Sequence, residues 1–90
     1  MTKYDKFSME EAKQIGAKIG IDWKKSRFEL KEFWMGMHVE LEHGTVSPST
    51  NVTDDDPLLT GKIALAHLNE YPDYYTRLDK MEKEAEKKWG

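Results

Sequence analysis

The 90-residue sequence contains no cysteine. That excludes disulfides and thiolate metal centres and suits a reducing compartment, so a cytoplasmic location is expected. No apolar run approaches the roughly 18 residues that span a bilayer, so no membrane partner is expected. The opening residues, Met1 to Lys6, lead into further polar positions and lack the apolar core of a secretory signal. Basic charge is also short. Lysine and arginine number 14 against 17 aspartates and glutamates, a net charge of -3, which argues against nucleic acid, whose partners carry a basic footprint. The local runs Lys24-Lys25 with Arg27, and Lys87-Lys88, sit among acids or on a solvated face. None of the six glycines forms a phosphate-cradling loop.

Present instead are 38% hydrophobic and 34% charged residues, a balance that suits a small globular domain rather than a disordered or membrane chain. A chain of this length buries roughly 60–65% of its unfolded surface, enough for a modest core. The apolar spacing predicts four helices. The first opens with a capping box, Ser8 and Glu11, behind Phe7 as a staple, continues through Met9, Ala12, Ile15, Gly16 and Ile19, and stops at Gly20. A second capping box at Ser26 and Glu29 leads into Leu30, Phe33, Trp34, Met37 and Leu41, one face of a helix that ends at Gly44.

A polar stretch from Thr45 to Asp56 follows, long enough for function or mobility to reside there. Asp56-Pro57 begins the third helix, whose Leu58, Leu59, Ile63, Ala64, Leu65, Ala66 and Leu68 lie nearly all round it and mark it as the buried central one. Tyr71-Pro72-Asp73 starts the fourth, with Tyr74, Leu78, Met81, Ala85 and Trp89 as its inner stripe. Asp79–Lys83 and Glu84–Lys88 support it as i,i+4 pairs. Gly16, Gly36 and Gly61 fall inside helices, where glycine costs about 1 kcal/mol against alanine, and imply close helix–helix approach. The fold expected is therefore all-α: one domain over residues 1–90, a compact bundle of about four short helices over 7–88 behind a short N-terminal tail, with a long polar loop between the second and third.

Three segments carry a family resemblance: Val39-Glu40-Leu41-Glu42-His43-Gly44, the run from Asp55 to Glu70, and Tyr71-Pro72-Asp73-Tyr74-Tyr75-Thr76-Arg77-Leu78. Over about Phe7 to Glu86 the chain resembles a family of small bacterial, archaeal and phage-associated proteins whose domain has no assigned function. The resemblance implies a prokaryotic or phage setting, in which blocking a host factor is one possible role. It transfers no functional residue.

The residues offer one ligand-like constellation, Glu40-x-x-His43 with His67-x-x-Glu70. Side chains at i and i+3 share a helix face, as in the carboxylate-bridged metal sites of helical bundles. In a plain antiparallel hairpin, however, His43 and His67 are offset by about ten residues, roughly 15 Å at 1.5 Å per residue, whereas ligands of one ion sit about 2 Å from it. The expectation is that the histidines are caps and surface hydrogen-bonding groups, with a divalent metal as the alternative and no other cofactor. His38 and Glu42 are expected to touch as an ordinary i,i+4 pair at the edge of the stripe.

No serine or threonine is placed beside a histidine by a nucleophile motif, so no catalytic residue is assigned. Asn51, Thr53 and Asp55 imitate the first ligands of a calcium loop, but Asp56 stands where its glycine belongs and Lys62 where its glutamate belongs. Asp54, Asp55 and Asp56 are expected to stabilise a helix N-terminus instead. Tyr71, Tyr74, Tyr75 and Trp89 gather aromatics on successive faces of one region, and surface aromatics are enriched where proteins meet. The leading expectation is a non-enzymatic binding module acting on a protein partner or on a second copy of itself.

Overall fold

The computed structural model describes residues 4–90 and contains four α-helices: α1 (Met9–Lys18), α2 (Leu30–Glu40), α3 (Pro57–Glu70) and α4 (Tyr74–Trp89). A 3₁₀ turn, Leu41–His43, extends α2, and another, Pro48–Thr50, lies in the following loop. Among the described residues there is no strand, and no helix is long and apolar enough to cross a membrane. Met1 to Lys3 of the expected N-terminal tail lie outside the described residues.

α1 begins as its sequence requires. Ser8 Oγ accepts the Glu11 N–H at 3.0 Å, and Glu11 Oε1 accepts the Ser8 N–H at 3.0 Å, a reciprocal cap worth about 1 kcal/mol. Those bonds hold the Glu11 carboxyl below its ordinary pKa. Gly20 takes φ +101°, which lets Gly20 N–H reach the Ala17 carbonyl at 3.1 Å and Ile21 N–H reach the Gly16 carbonyl at 2.9 Å. This pair of bonds closes the helix.

The second capping box does not form. Ser26 Oγ accepts the Phe28 N–H at 3.2 Å and donates to the Phe28 carbonyl at 2.9 Å. A hydroxyl satisfied within its own turn no longer serves a helix start. α2 consequently begins only at Leu30, with no side-chain cap from Glu29.

The core comprises Phe7, Ala12, Ile21, Phe28, Phe33, Met37, Ala64, Leu68 and Tyr75. α2 and α3 are both central, each packing against the other three helices. α2 is the more buried, covering Glu32, Phe33, Gly36, Met37, His38 and Glu40, against Thr60, Gly61, Ala64 and Leu68 of α3. α3 leaves Leu58 and Leu59 exposed, although Thr60 in the same turn is buried. α4 differs more. From Lys80 onward every residue except Glu82 is exposed, so the Met81, Ala85 and Trp89 expected to face inward find no neighbouring helix among the described residues. Asp79–Lys83 forms at 3.0 Å, while Lys88 Nζ lies 5.3 Å from the centre of the Trp89 ring.

The loop from Thr45 to Asp56 is tied down by its own polar groups. Asp55 Oδ1 accepts the Thr45 N–H at 2.9 Å and Oδ2 accepts the Thr45 hydroxyl at 2.5 Å, which holds the Asp55 carboxyl below its ordinary pKa. A side chain on Gly44 would place its Cβ 1.9 Å from Asp55 Oδ1. Asp56 caps α3 through the N–H groups of Leu58 and Leu59. Of the three aspartates expected at a helix start, only Asp56 serves one. Asp55 turns back to Thr45, and the Asp54 N–H is taken by Asn51 Oδ1 at 2.7 Å.

His38 does not pair with Glu42. Its Nε2 accepts the Phe7 N–H at 2.9 Å and its Nδ1 bonds the Trp34 carbonyl at 2.8 Å, which places the proton on Nδ1. Trp34 Nε1–H donates to the Phe7 carbonyl at 2.7 Å. Both backbone groups of Phe7 are thus held by α2, and the Tyr4 ring packs against Trp34 and His38. Burial pushes the His38 pKa down, outweighing the bond to Trp34 and the field of Asp5.

The sign follows from linkage. With the folded value lowered, the unfolded chain takes up the proton first as pH falls. The stability supplied by neutral His38 is complete above its unfolded pKa of about 6.5 and drains away as pH falls from there toward the folded value. Protonated Nε2 would also face the Phe7 N–H donor to donor. In chelator-treated protein the Phe7 amide resonance should therefore shift on acidification as the segment loosens. A Phe7 signal that stays fixed while His38 titrates would contradict this account.

Candidate functional site

The polar centre of the molecule is built on one row of α2. Glu32, Gly36 and Glu40 recur every four residues and so lie on one ridge. Tyr75 of α4 lies along that ridge. Its backbone N–H donates to Glu32 Oε1 at 3.1 Å, and its hydroxyl donates to Glu40 Oε2 at 2.6 Å. The ring crosses Gly36, where an added Cβ would stand 2.3 Å from Tyr75 Cε2. Glu32 Oε1 also accepts the Thr76 N–H at 3.2 Å, and Oε2 accepts the Thr76 hydroxyl. Asp73 makes no cap bond to α4. Its carboxylate is taken by Arg77 Nε at 2.9 Å, which lowers the Asp73 pKa and raises that of Arg77. Burial, then the Glu40 carboxylate, push the Tyr75 phenol far above its ordinary pKa, so it remains a donor.

Glu40 is the meeting point. Its carboxylate is only 6% exposed and has His43 Nε2 at 3.7 Å from Oε1 and His67 Nε2 at 3.8 Å from Oε2. The 15 Å offset expected of a plain hairpin is therefore absent. The polar loop lets α3 return with His67 opposite Glu40, and the 3₁₀ turn brings His43 back over it. The His43 carbonyl accepts the N–H groups of Val52 and Thr53 at 2.6 and 3.2 Å, so the loop fixes the turn that bears the imidazole. His67 is stacked on Tyr74, centroids 4.4 Å apart and planes at 10°. It also borders a groove of ≈ 390 Å³ lined by Val52, Leu59, Ile63 and Ala66.

Of the four residues singled out as possible ligands, Glu40, His43 and His67 converge. Glu70, exposed at the end of α3, makes none of these contacts. Of the four surface aromatics, Tyr71 and Trp89 are exposed and Tyr74 is half-buried. Tyr75 is buried and unavailable to a partner, because its ring fills the space left by Gly36. The residues that sequence reasoning missed are Glu32 and Tyr75 as a polar pair. The signal was the four-residue repeat of Glu32, Gly36 and Glu40, a small residue between two carboxylates, which marks a ridge meant for another helix.

No curated protein and no solved structure matches this chain. A family model described as a protein of unknown function, DUF5661, matches residues 12–84, so the matched region takes in α2, α3 and every residue of the Glu40 cluster. The chain belongs to the DUF5661 family.

Proposed function

We propose that this protein is a non-enzymatic helical binding module, and that the partner seated on α4 is a second copy of the chain. The observation that carries the reading is the bare apolar row of α4, with Met81 56% and Trp89 81% exposed. Leu78 sits half-buried against the bundle, and the same face continues through Met81, Ala85 and Trp89, which no other helix of the described residues covers. A helix that keeps its apolar face past the end of its own domain is half of a helix pair.

The sequence of α4 suits an antiparallel pair crossing at Ala85. That crossing sets small residue against small residue, Met81 against the partner's Trp89, and Glu82 against the partner's Lys88. Ten residues of helix make a contact about 15 Å long. A contact of that size falls in the low range of interface areas and implies a weak, concentration-dependent dimer.

Sedimentation velocity over the micromolar-to-millimolar range should show monomer giving way to dimer. Met81→Glu should hold the protein monomeric at every concentration, since it sets two carboxylates into the contact without touching the core. A wild-type protein that stays monomeric throughout, or a dimer unmoved by Met81→Glu, would remove the reading.

A further inference from the structure

The Glu40 carboxylate is an uncommon object, a buried acid with no permanent counter-charge. No lysine or arginine pairs with it among the ion pairs of the described residues; its only charge partners are His43 and His67, one on each oxygen. The Tyr75 hydroxyl supplies one neutral hydrogen bond to Oε2. A carboxylate withdrawn from water is costly unless a cation or a full set of donors meets it.

The groups facing it are the right kind for a metal ion. Two imidazole nitrogens and a carboxylate, Glu40 and His43 from one end of α2 and its 3₁₀ turn and His67 from α3, form the donor set of zinc-class ions, which in open sites take three protein ligands and leave one position free. The rings present the same nitrogen, Nε2, toward the acid. Two ligands bound at about 2.1 Å on a tetrahedral ion stand roughly 3.4 Å apart. His43 Nε2 stands 3.7 Å from Oε1 and His67 Nε2 3.8 Å from Oε2, each a few tenths of an ångström beyond that spacing but on different oxygens, so one ion between the rings would take both carboxylate oxygens.

The two rings differ in their surroundings. His67 is held by its stack on Tyr74. His43 is 53% exposed, on a turn whose carbonyl is held by the Val52 and Thr53 N–H groups of the loop. Among the described residues no three histidine, aspartate or glutamate side chains already stand in an ion-holding group, so binding has to draw the His43 ring inward.

We propose that Glu40, His43 and His67 form a binding site for one divalent transition-metal ion of the zinc class, closed by inward movement of His43. The test uses Co²⁺ as the probe on the full chain freed of metal. Titration should raise the visible absorption of a low-coordinate site at a ratio of one ion per chain, and Zn²⁺ should abolish it by competition. His43→Ala, at an exposed position, should leave the helical circular dichroism unchanged and weaken Co²⁺ by at least about tenfold, the lower end of the cost of losing even an outer-shell partner. His67→Ala should do the same.

Glu40→Gln is the less informative variant, because it also strips Tyr75 of its acceptor and can disturb the fold. The absence of any Co²⁺ spectrum in the wild-type chain overturns the site. So does binding that survives both histidine replacements, since the ion would then sit on surface carboxylates elsewhere.

Discussion

Glu32→Ala should cost about 3 kcal/mol of folding free energy, read from urea or thermal unfolding monitored at the helical band. The acceptor lost serves the N–H groups of Tyr75 and Thr76 at 3.1 and 3.2 Å and the Thr76 hydroxyl. Those two amides are orphan donors of the first turn of α4, the positions an N-cap side chain normally satisfies. Hydrogen bonds to a charged acceptor are worth about 1.5–3 kcal/mol each, and a buried donor left empty costs about 1–3 kcal/mol. Against this stands relief from burying the carboxylate itself, which keeps the total below the simple sum. A domain of this length holds roughly 5–13 kcal/mol in all, so the loss is a large fraction. Glu32→Gln keeps an oxygen for the amides and should cost about half as much. An alanine variant within about 0.5 kcal/mol of wild type, the scatter of ordinary surface changes, would show that water or Asp73 caps α4 instead.

The second large effect belongs to Gly36. Alanine normally improves a helix interior by about 1 kcal/mol over glycine. Here the added methyl carbon would stand 2.3 Å from Tyr75 Cε2 and 2.8 Å from Cδ2 and Cζ. The ring cannot step aside freely, because Glu32 holds its backbone and Glu40 its hydroxyl. Overpacking a well-filled core costs about 1–3 kcal/mol and more when the neighbour is pinned, so Gly36→Ala should lose roughly 2 kcal/mol net despite the better helix former. A double-mutant cycle separates the causes. With Tyr75→Leu already in place, the same alanine should cost little or nothing. An equal cost in both backgrounds would mean that the ring is not what Gly36 makes room for.

Much of the fold was legible because its cues are local. Ser8 with Glu11, Gly20, and Asp56-Pro57 each act within one turn, and each does in the structure what its residue type dictates. The close approaches implied by glycine were legible too, though Gly16 receives Trp23 of the connector rather than a second helix. One failure arose where a side chain found a nearer partner: Ser26 turned to Phe28, two residues on, and left α2 to start later. Another partner lay outside any local pattern: the first-turn amides of α4 go to Glu32, 43 residues from Tyr75, while Asp73 holds Arg77.

Glu32, His38 and Glu40 look like the solvated edge of an apolar stripe, yet α4 and the N-terminal segment cover them. The stripe of α4 reads correctly as apolar, but periodicity cannot say whether a face meets its own core or another molecule. The histidine cluster was half legible. Ligand-type residues at helical spacing were visible, while their convergence depended on how a twelve-residue connection carries α3 back, a question no spacing rule answers.

The ridge of Glu32, Gly36 and Glu40 settles how α4 is seated lengthwise. Apolar rows tolerate sliding, since one leucine serves nearly as well as the next. A slip of one turn, about 5.4 Å, would carry Tyr75 off its glycine notch and away from the hydrogen bonds it makes to Glu32 and Glu40. The polar groups thus act as index marks that admit a single alignment of the two helices, and the distance from the core to Trp89 is fixed by them rather than by greasy contact.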